Sequence, residues 1–307
     1  RTFIKNPLLR TNSLPQFSKI HFSHVTSAVD TILSENRETI KTIELNSHNP
    51  TWENFVTPLE IIDDKLSRVW SQVGHLNSVL NSDELRKEYN NNLEKISLYY
   101  SELGQNSKIF NGFTILKEKN HYQRLHTIQK KIVDDEIIGF MLGGVGLTPK
   151  KQEKFKEIKA SLSKLSAKFE ENLLDSVNSF NLHIASKDLL AGIPADVLKS
   201  AQLLAASVNK KGWVFTLDFP SYIPLMQYAD NRKLREDMYY AYSTKASELS
   251  NKKLDNTAQI NAILKLKLQL AKLLGFKDYA SMSLTTKMAK SSDEIVKFLN
   301  NLAKKAK

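Results

Sequence analysis

The sequence predicts a mainly α protein in two parts: a lobe of long helices, then the start of a second α-rich lobe that carries a small β element. Three observations predict it. The 307 residues include only ten Gly and eight Pro, about 3% each against a usual ~7% and ~5%, so few positions are given over to turns. Apolar residues recur at spacings of three and four along most of the chain, which is the signature of amphipathic helices. A single segment, residues 212–219, alternates with period two. The remaining composition, 41% hydrophobic and 25% charged with no Cys, excludes a disordered chain, a collagen and a disulfide scaffold. The longest uncharged apolar stretches, such as residues 137–142, fall far short of the ~18 residues that a membrane span needs. No signal peptide is expected from the opening residues.

After an irregular, Pro-containing arm over residues 1–21, Val25, Ala28, Val29, Ile32 and Leu33 predict a first helix, with Ser23 as its N-cap. Asn49-Pro50-Thr51 opens a longer one whose apolar positions are Phe55, Leu59, Ile62, Leu66, Val69, Trp70 and Val73. Ser82, followed by Asp83 and Glu84, places a cap and negative charge at the next N-terminus, where the helix dipole favours both. Leu85, Tyr89, Leu93, Ile96 and Leu103 mark its buried stripe. A further helix is expected from about His121 to Met141. Gly143-Gly144-Val145-Gly146 stops it, and Thr148-Pro149 starts the next with a cap and a Pro at the first helical position. The domain boundary is therefore expected here, dividing 1–147 from 148–307. The pattern from Phe155 to Phe180 calls for one helix of roughly 30 residues. Beyond it, 181–185 reads as a short strand and 194–207 as a helix. Trp213, Phe215, Leu217 and Phe219 read as one side of a second strand. Asn231 caps a helix carrying Leu234, Met238 and Tyr242, and another runs from Asn256 to Leu274 with Gly275 just past its end. In the last segment Ile295, Phe298, Leu299 and Leu302 form a stripe that reaches Lys307 without a stop. With Arg as the first residue, this leads us to expect a piece of a longer polypeptide.

The formal net charge is +11, yet 36 of the 44 basic residues are Lys and eight are Arg. Arg supplies the planar fork that reads phosphates and base edges, whereas Lys at helical spacing is the mark of a solvated face. Nucleic acid is therefore not the expected partner, and neither is a membrane. None of the seven His is followed by Glu, so the H-E-x-x-H arrangement of a zinc peptidase is missing from this sequence. His21 and His24 are three apart without a nearby carboxylate. His121 and His126 diverge around a helix, where capping or surface roles fit them better, and His48, His75 and His183 are isolated. The glycines at 143–146 lack the Lys-Ser/Thr of a phosphate loop, and no Gly-x-Ser-x-Gly elbow exists. Asp63-Asp64 and Asp134-Asp135 lie on Lys-crowded helix faces and read as solvated. The sequence thus offers no catalytic and no metal-ligating residue, and leaves any substrate-binding residue unknown.

Several ordered segments resemble the first part of the thimet oligopeptidase/neurolysin family of zinc metallopeptidases, in its bacterial branch. They include Asn6-Pro7-Leu8-Leu9, Leu14-Pro15-Gln16-Phe17, Thr51-Trp52-Glu53-Asn54, His75-Leu76-Asn77-Ser78, Gly144-Val145-Gly146-Leu147, Leu217-Asp218-Phe219-Pro220-Ser221-Tyr222, Ala241-Tyr242-Ser243-Thr244 and Leu273-Leu274-Gly275-Phe276. The resemblance implies a neurolysin-like fold and a cytoplasmic peptidase that cuts short peptides in a deep channel between two helical lobes. It implies zinc held by an H-E-x-x-H helix and a downstream Glu in the second half of the parent. No such residue is present to be assigned here, so the 307-residue chain is expected to bind no zinc and to be inactive without a missing C-terminal catalytic half. The alternative is a stand-alone helical module that binds peptides or a protein.

Overall fold

The computed structural model describes residues 6–10 and 13–306. Part of the N-terminal arm, and Lys307, lie outside these. The fold is mainly helical, with one two-stranded antiparallel sheet. Contacts divide it into two compact units, residues 1–164 with 265–307, and residues 165–264. The cuts fall inside two long helices.

In the first unit, α1 (Ser23–Asn46) packs on α2 (Thr57–Val79) and α3 (Asp83–Gly104), and α4 (Ser107–Glu118) packs on α6 (Thr127–Leu142), with the short α5 (Asn120–Arg124) between them in sequence. The predicted stripes face inward: Val25, Val29 and Leu33 from α1 meet Ile62, Leu66, Val69 and Val73 from α2 in one continuous core. Phe55 stacks edge-on against Phe113 with ring centroids 5.1 Å apart. Gly112 lies beneath that ring, where a Cβ would come within 2.3 Å of the Phe55 Cζ. Asn36, wholly buried, is held by donating to the Ile62 carbonyl at 3.1 Å and to the Tyr99 hydroxyl at 3.3 Å.

The helix ends follow from local chemistry. Thr51 and Asn54 cap each other, the Thr51 N–H donating to Asn54 Oδ1 at 2.7 Å and the Asn54 N–H to Thr51 Oγ1 at 3.2 Å, and a wide helical turn (Trp52–Val56) then leads into α2. Ser82 accepts from the Leu85 N–H as predicted. Ser23 does not act as the first cap. It is already helical, Phe22 takes the cap position, and it is His24 Nδ1 that accepts the His21 N–H at 3.0 Å. The single helix expected from His121 to Met141 is two: Leu125 is extended and buried, and the Gln129 side chain accepts the His126 N–H at 3.2 Å to begin α6 afresh. The sequence reading passed over α4 altogether. Asn106 nucleates it by accepting from the Lys108 and Ile109 N–H groups, both at 3.1 Å.

α6 ends in a Schellman turn: the Val145 N–H reaches the Phe140 carbonyl, the Gly144 N–H reaches Met141, and Gly144 has φ +85°. α7 (Pro149–Asn178) then spans 30 residues with Pro149 first. Phe155 and Ile158 of α7 pack with Leu270 of α11 (Thr257–Leu273) in a smaller core of the first unit. α12 (Tyr279–Leu284) and α13 (Ser292–Ala306) complete that unit.

In the second unit β1 (Leu182–Ile184) pairs antiparallel with β2 (Trp213–Phe215), Leu182 opposite Phe215 and Ile184 opposite Trp213. α8 (Ala195–Ser207), α9 (Phe219–Tyr228) and α10 (Arg232–Thr244) close over a core of Phe215, Leu225 and Met238. Gly212 has φ +96°, and a Cβ there would lie 2.4 Å from the Ile184 carbonyl oxygen. That close approach sets the two strands side by side. The second strand is shorter than the alternation suggests. Val214 and Phe215 are both buried, so it is covered on both faces, while Phe219 is 69% exposed and begins α9. The turn forms because Thr216 donates its N–H to Ser221 Oγ at 3.0 Å and Pro220 suits the first turn of a helix.

Candidate functional site

Within the first unit, α2 carries Glu60 and Asp63 three residues apart, and so on one face. α3 contributes Tyr99 and Tyr100, α4 contributes Phe113, and α6 contributes Glu136 and Phe140. Together they wall a cavity of about 240 Å³. Val133 and Phe140 are buried on the face of α6 to which Glu136 also belongs, so the core packing of α6 draws the carboxyl inward. Burial pushes Glu136 up to about 7, assisted by the charges of Glu60, Asp63 and Asp135. Burial raises Glu60 as well, with Asp63 next. Tyr100 is raised by burial and by Asp63, to whose Oδ1 it donates at 3.1 Å. No Lys or Arg lines the cavity. The Glu136 carboxyl can hold a proton near neutrality, and an acidic wall with no basic group in it can attract a cationic group.

Of the four aspartates read as solvated, three form ion pairs: Asp64 pairs with Arg68 at 2.6 Å, Asp134 with Lys117 at 2.8 Å, and Asp135 with Lys131. Asp63 is exposed as well, and accepts from the Tyr100 hydroxyl. Neither Glu60 nor Glu136 was singled out from sequence. The available signal was the run Val133, Glu136, Ile137, Phe140, in which an acid occupies a position of the apolar face.

The histidines are engaged locally. His121 Nε2 accepts the Trp52 N–H at 3.2 Å, His183 Nε2 lies 2.7 Å from the Lys211 carbonyl, and the His75 ring rests on Phe17 at 5.1 Å. His21 and His24 have ring centroids 6.3 Å apart with no carboxylate between them. Among the described residues no three His, Cys, Asp or Glu side chains gather in a way that could hold a metal ion. The described donor set therefore does not fit a zinc centre.

In the second unit α8, β2 and α9 border a cavity of about 610 Å³, with Val197, Ala201 and Val214 for its apolar part and Asp196, Ser200 and Ser221 for its polar part. No histidine lines it. Among the described residues no helix is long and apolar enough to cross a membrane.

Comparison with known proteins adds what the geometry leaves open. Residues 29–152 match the family model for the neurolysin/thimet oligopeptidase N-terminal domain, and residues 225–307 match that for peptidase family M3. The chain is 42% identical over 306 residues to oligopeptidase A of Haemophilus influenzae, covering 99% of this chain and 45% of that protein. It is 41% identical over 304 residues to oligopeptidase A of Escherichia coli, covering 98% and 45%. A probable cytosolic oligopeptidase A of Arabidopsis thaliana is 36% identical over 312 residues, covering 98% and 44%. The chain thus spans less than half the length of the curated relatives it matches.

Proposed function

Taking as premise that this chain resembles, over nearly its whole length, the N-terminal part of oligopeptidase A in the thimet oligopeptidase/neurolysin family, we propose that it is the first part of a zinc-dependent oligopeptidase that hydrolyses short peptides. The observation that carries the reading is the order of the two family matches, an N-terminal-domain model over residues 29–152 followed by a peptidase model over residues 225–307. In this reading residues 1–147 form the N-terminal lobe and 148–307 begin the catalytic lobe. Together they supply scaffold and channel wall. The zinc ligands and the general base belong to the remainder of the parent polypeptide, whose expected location is the cytoplasm. Zinc bound there would act as a Lewis acid toward water and the substrate carbonyl. The residues present here contribute positioning alone, and the isolated chain is inactive.

The test compares the full natural polypeptide with the 307-residue chain on a quenched fluorescent peptide, with zinc and then with a chelator. The full polypeptide should cleave and lose activity on chelation. The 307-residue chain should neither cleave nor retain stoichiometric zinc after dialysis. One-to-one zinc in the short chain, or cleavage by it, would overturn the assignment. A natural polypeptide that ends at Lys307 would favour the stand-alone interaction module instead.

A further inference from the structure

α13 has no buried residue, although its sequence is patterned for burial. At about 100° per residue, Ile295, Phe298, Leu299 and Leu302 fall within roughly 100° of arc, with Lys297 and Lys304 on the opposite side. Phe298, Leu299 and Leu302 are 60%, 55% and 48% exposed. α13 packs against α12, which itself has no buried residue. The imbalance extends through the segment to which α13 belongs. Among the described residues of 29–152, 21 hydrophobic side chains are buried and eight large ones exposed, whereas in 225–307 seven are buried and twelve exposed. The first segment closes its own core and the second does not.

We propose that the apolar face of α13 is a docking face for the remaining portion of the same polypeptide, the portion by which the oligopeptidase A relatives exceed the length matched here. This rests on the reading given under Proposed function. The peptidase model matches through residue 307, so α13 sits within that family region, and the chain accounts for 45% of the relatives' length. A second copy of this chain fits less well. Four side chains are far fewer than the ~20–30 residues per side of a stable interface.

Hydrogen exchange on the full natural polypeptide and on the 307-residue chain tests this directly, reading peptides across 292–306. The full polypeptide should exchange there at least about 100-fold more slowly, since an amphipathic helix is held by packing rather than by propensity. Equal rates in the two would overturn the proposal. So would protection in the short chain that rises with its concentration, which means a second copy, or with added anionic phospholipid vesicles, which means a membrane surface. In the full polypeptide Phe298→Asp should abolish the protection and Lys297→Asp should leave it intact. Phe298→Ala, a milder change, should reduce the protection should the Asp variant fail to fold. A wild-type polypeptide that lacks peptidase activity with zinc would defeat the functional reading alone, because the exchange measurement still reports whether α13 is covered.

Discussion

Glu136→Gln isolates the electrostatics of the carboxylate cavity. Glu136 belongs to the face of α6 shared by Val133 and Phe140, and its carboxyl is pushed from 4.5 up to about 7, first by burial and then by Glu60, Asp63 and Asp135. The folded-state value lies above the unfolded one, so the favourable contribution is complete below about pH 4.5. It declines as pH rises, because the unfolded chain releases a proton that the folded chain retains, and it is gone above about pH 7. Each unit is ~1.4 kcal/mol, which sets a ceiling of about 3 kcal/mol. Solvent reaching the half-buried carboxyl lowers this to roughly 1–2 kcal/mol. Gln is uncharged at every pH and nearly isosteric. The variant should therefore be more stable than wild type by about 1–2 kcal/mol at pH 8 and within ~0.5 kcal/mol of it at pH 4.5. Urea unfolding followed by far-ultraviolet circular dichroism at pH 4.5, 6 and 8 reads the difference, and subtraction removes the pH dependence of every other group. A difference independent of pH, or a Gln variant less stable at pH 8, would refute the reasoning. Glu60→Gln, which removes one of the neighbouring charges, should shrink the difference and make it level off at a lower pH, because Glu136 would then ionise more easily and be less penalised.

Gly143 and Gly139 lie four residues apart and should respond oppositely to Ala. A Cβ at 143 would meet the Gly104 carbonyl oxygen at 2.8 Å and its Cα at 3.0 Å, backbone atoms that cannot swing away, so a loss of ~1–3 kcal/mol is expected. At 139 nothing lies within 4 Å, and Ala in place of Gly inside α6 should gain roughly 0.5–1 kcal/mol. Denaturant midpoints of the two variants with opposite signs would bear this out. Asn106→Ala removes the acceptor for two N–H groups and a 2.8 Å donation to Glu44, so it should cost about 1–2 kcal/mol, seen as a lowered urea midpoint with unchanged slope. Gly212→Ala should be strongly destabilising in the second unit. It combines positive φ with a 2.4 Å clash on the Ile184 carbonyl, and loss of the near-ultraviolet signal from Trp213 would report it.

Much of this protein could be read from one dimension. A helix that buries one side writes its period into the chain, so the stripes of α1, α2 and α3, the 30-residue α7 and the caps at Ser82 and Asn231 were all legible. Each is a local pattern with a local cause. The resemblance through Thr51-Trp52-Glu53-Asn54 and Leu217-Asp218-Phe219-Pro220 likewise lies in the order of residues and needs no coordinates. Other features were decided in three dimensions. Leu125 splits an apparently continuous helix because it is taken into the core in extended form. Phe219 fails to extend a strand because the hydrogen bond from Thr216 to Ser221 turns the backbone into α9. Gly112 is small because of Phe55, which lies far from it in sequence. Glu136 is an unremarkable acid until α6 brings it to a cavity wall beside Glu60 and Asp63, where burial and like charge make its protonation a property of the fold. Periodicity reports which side of an element is buried, and only packing determines what that side meets.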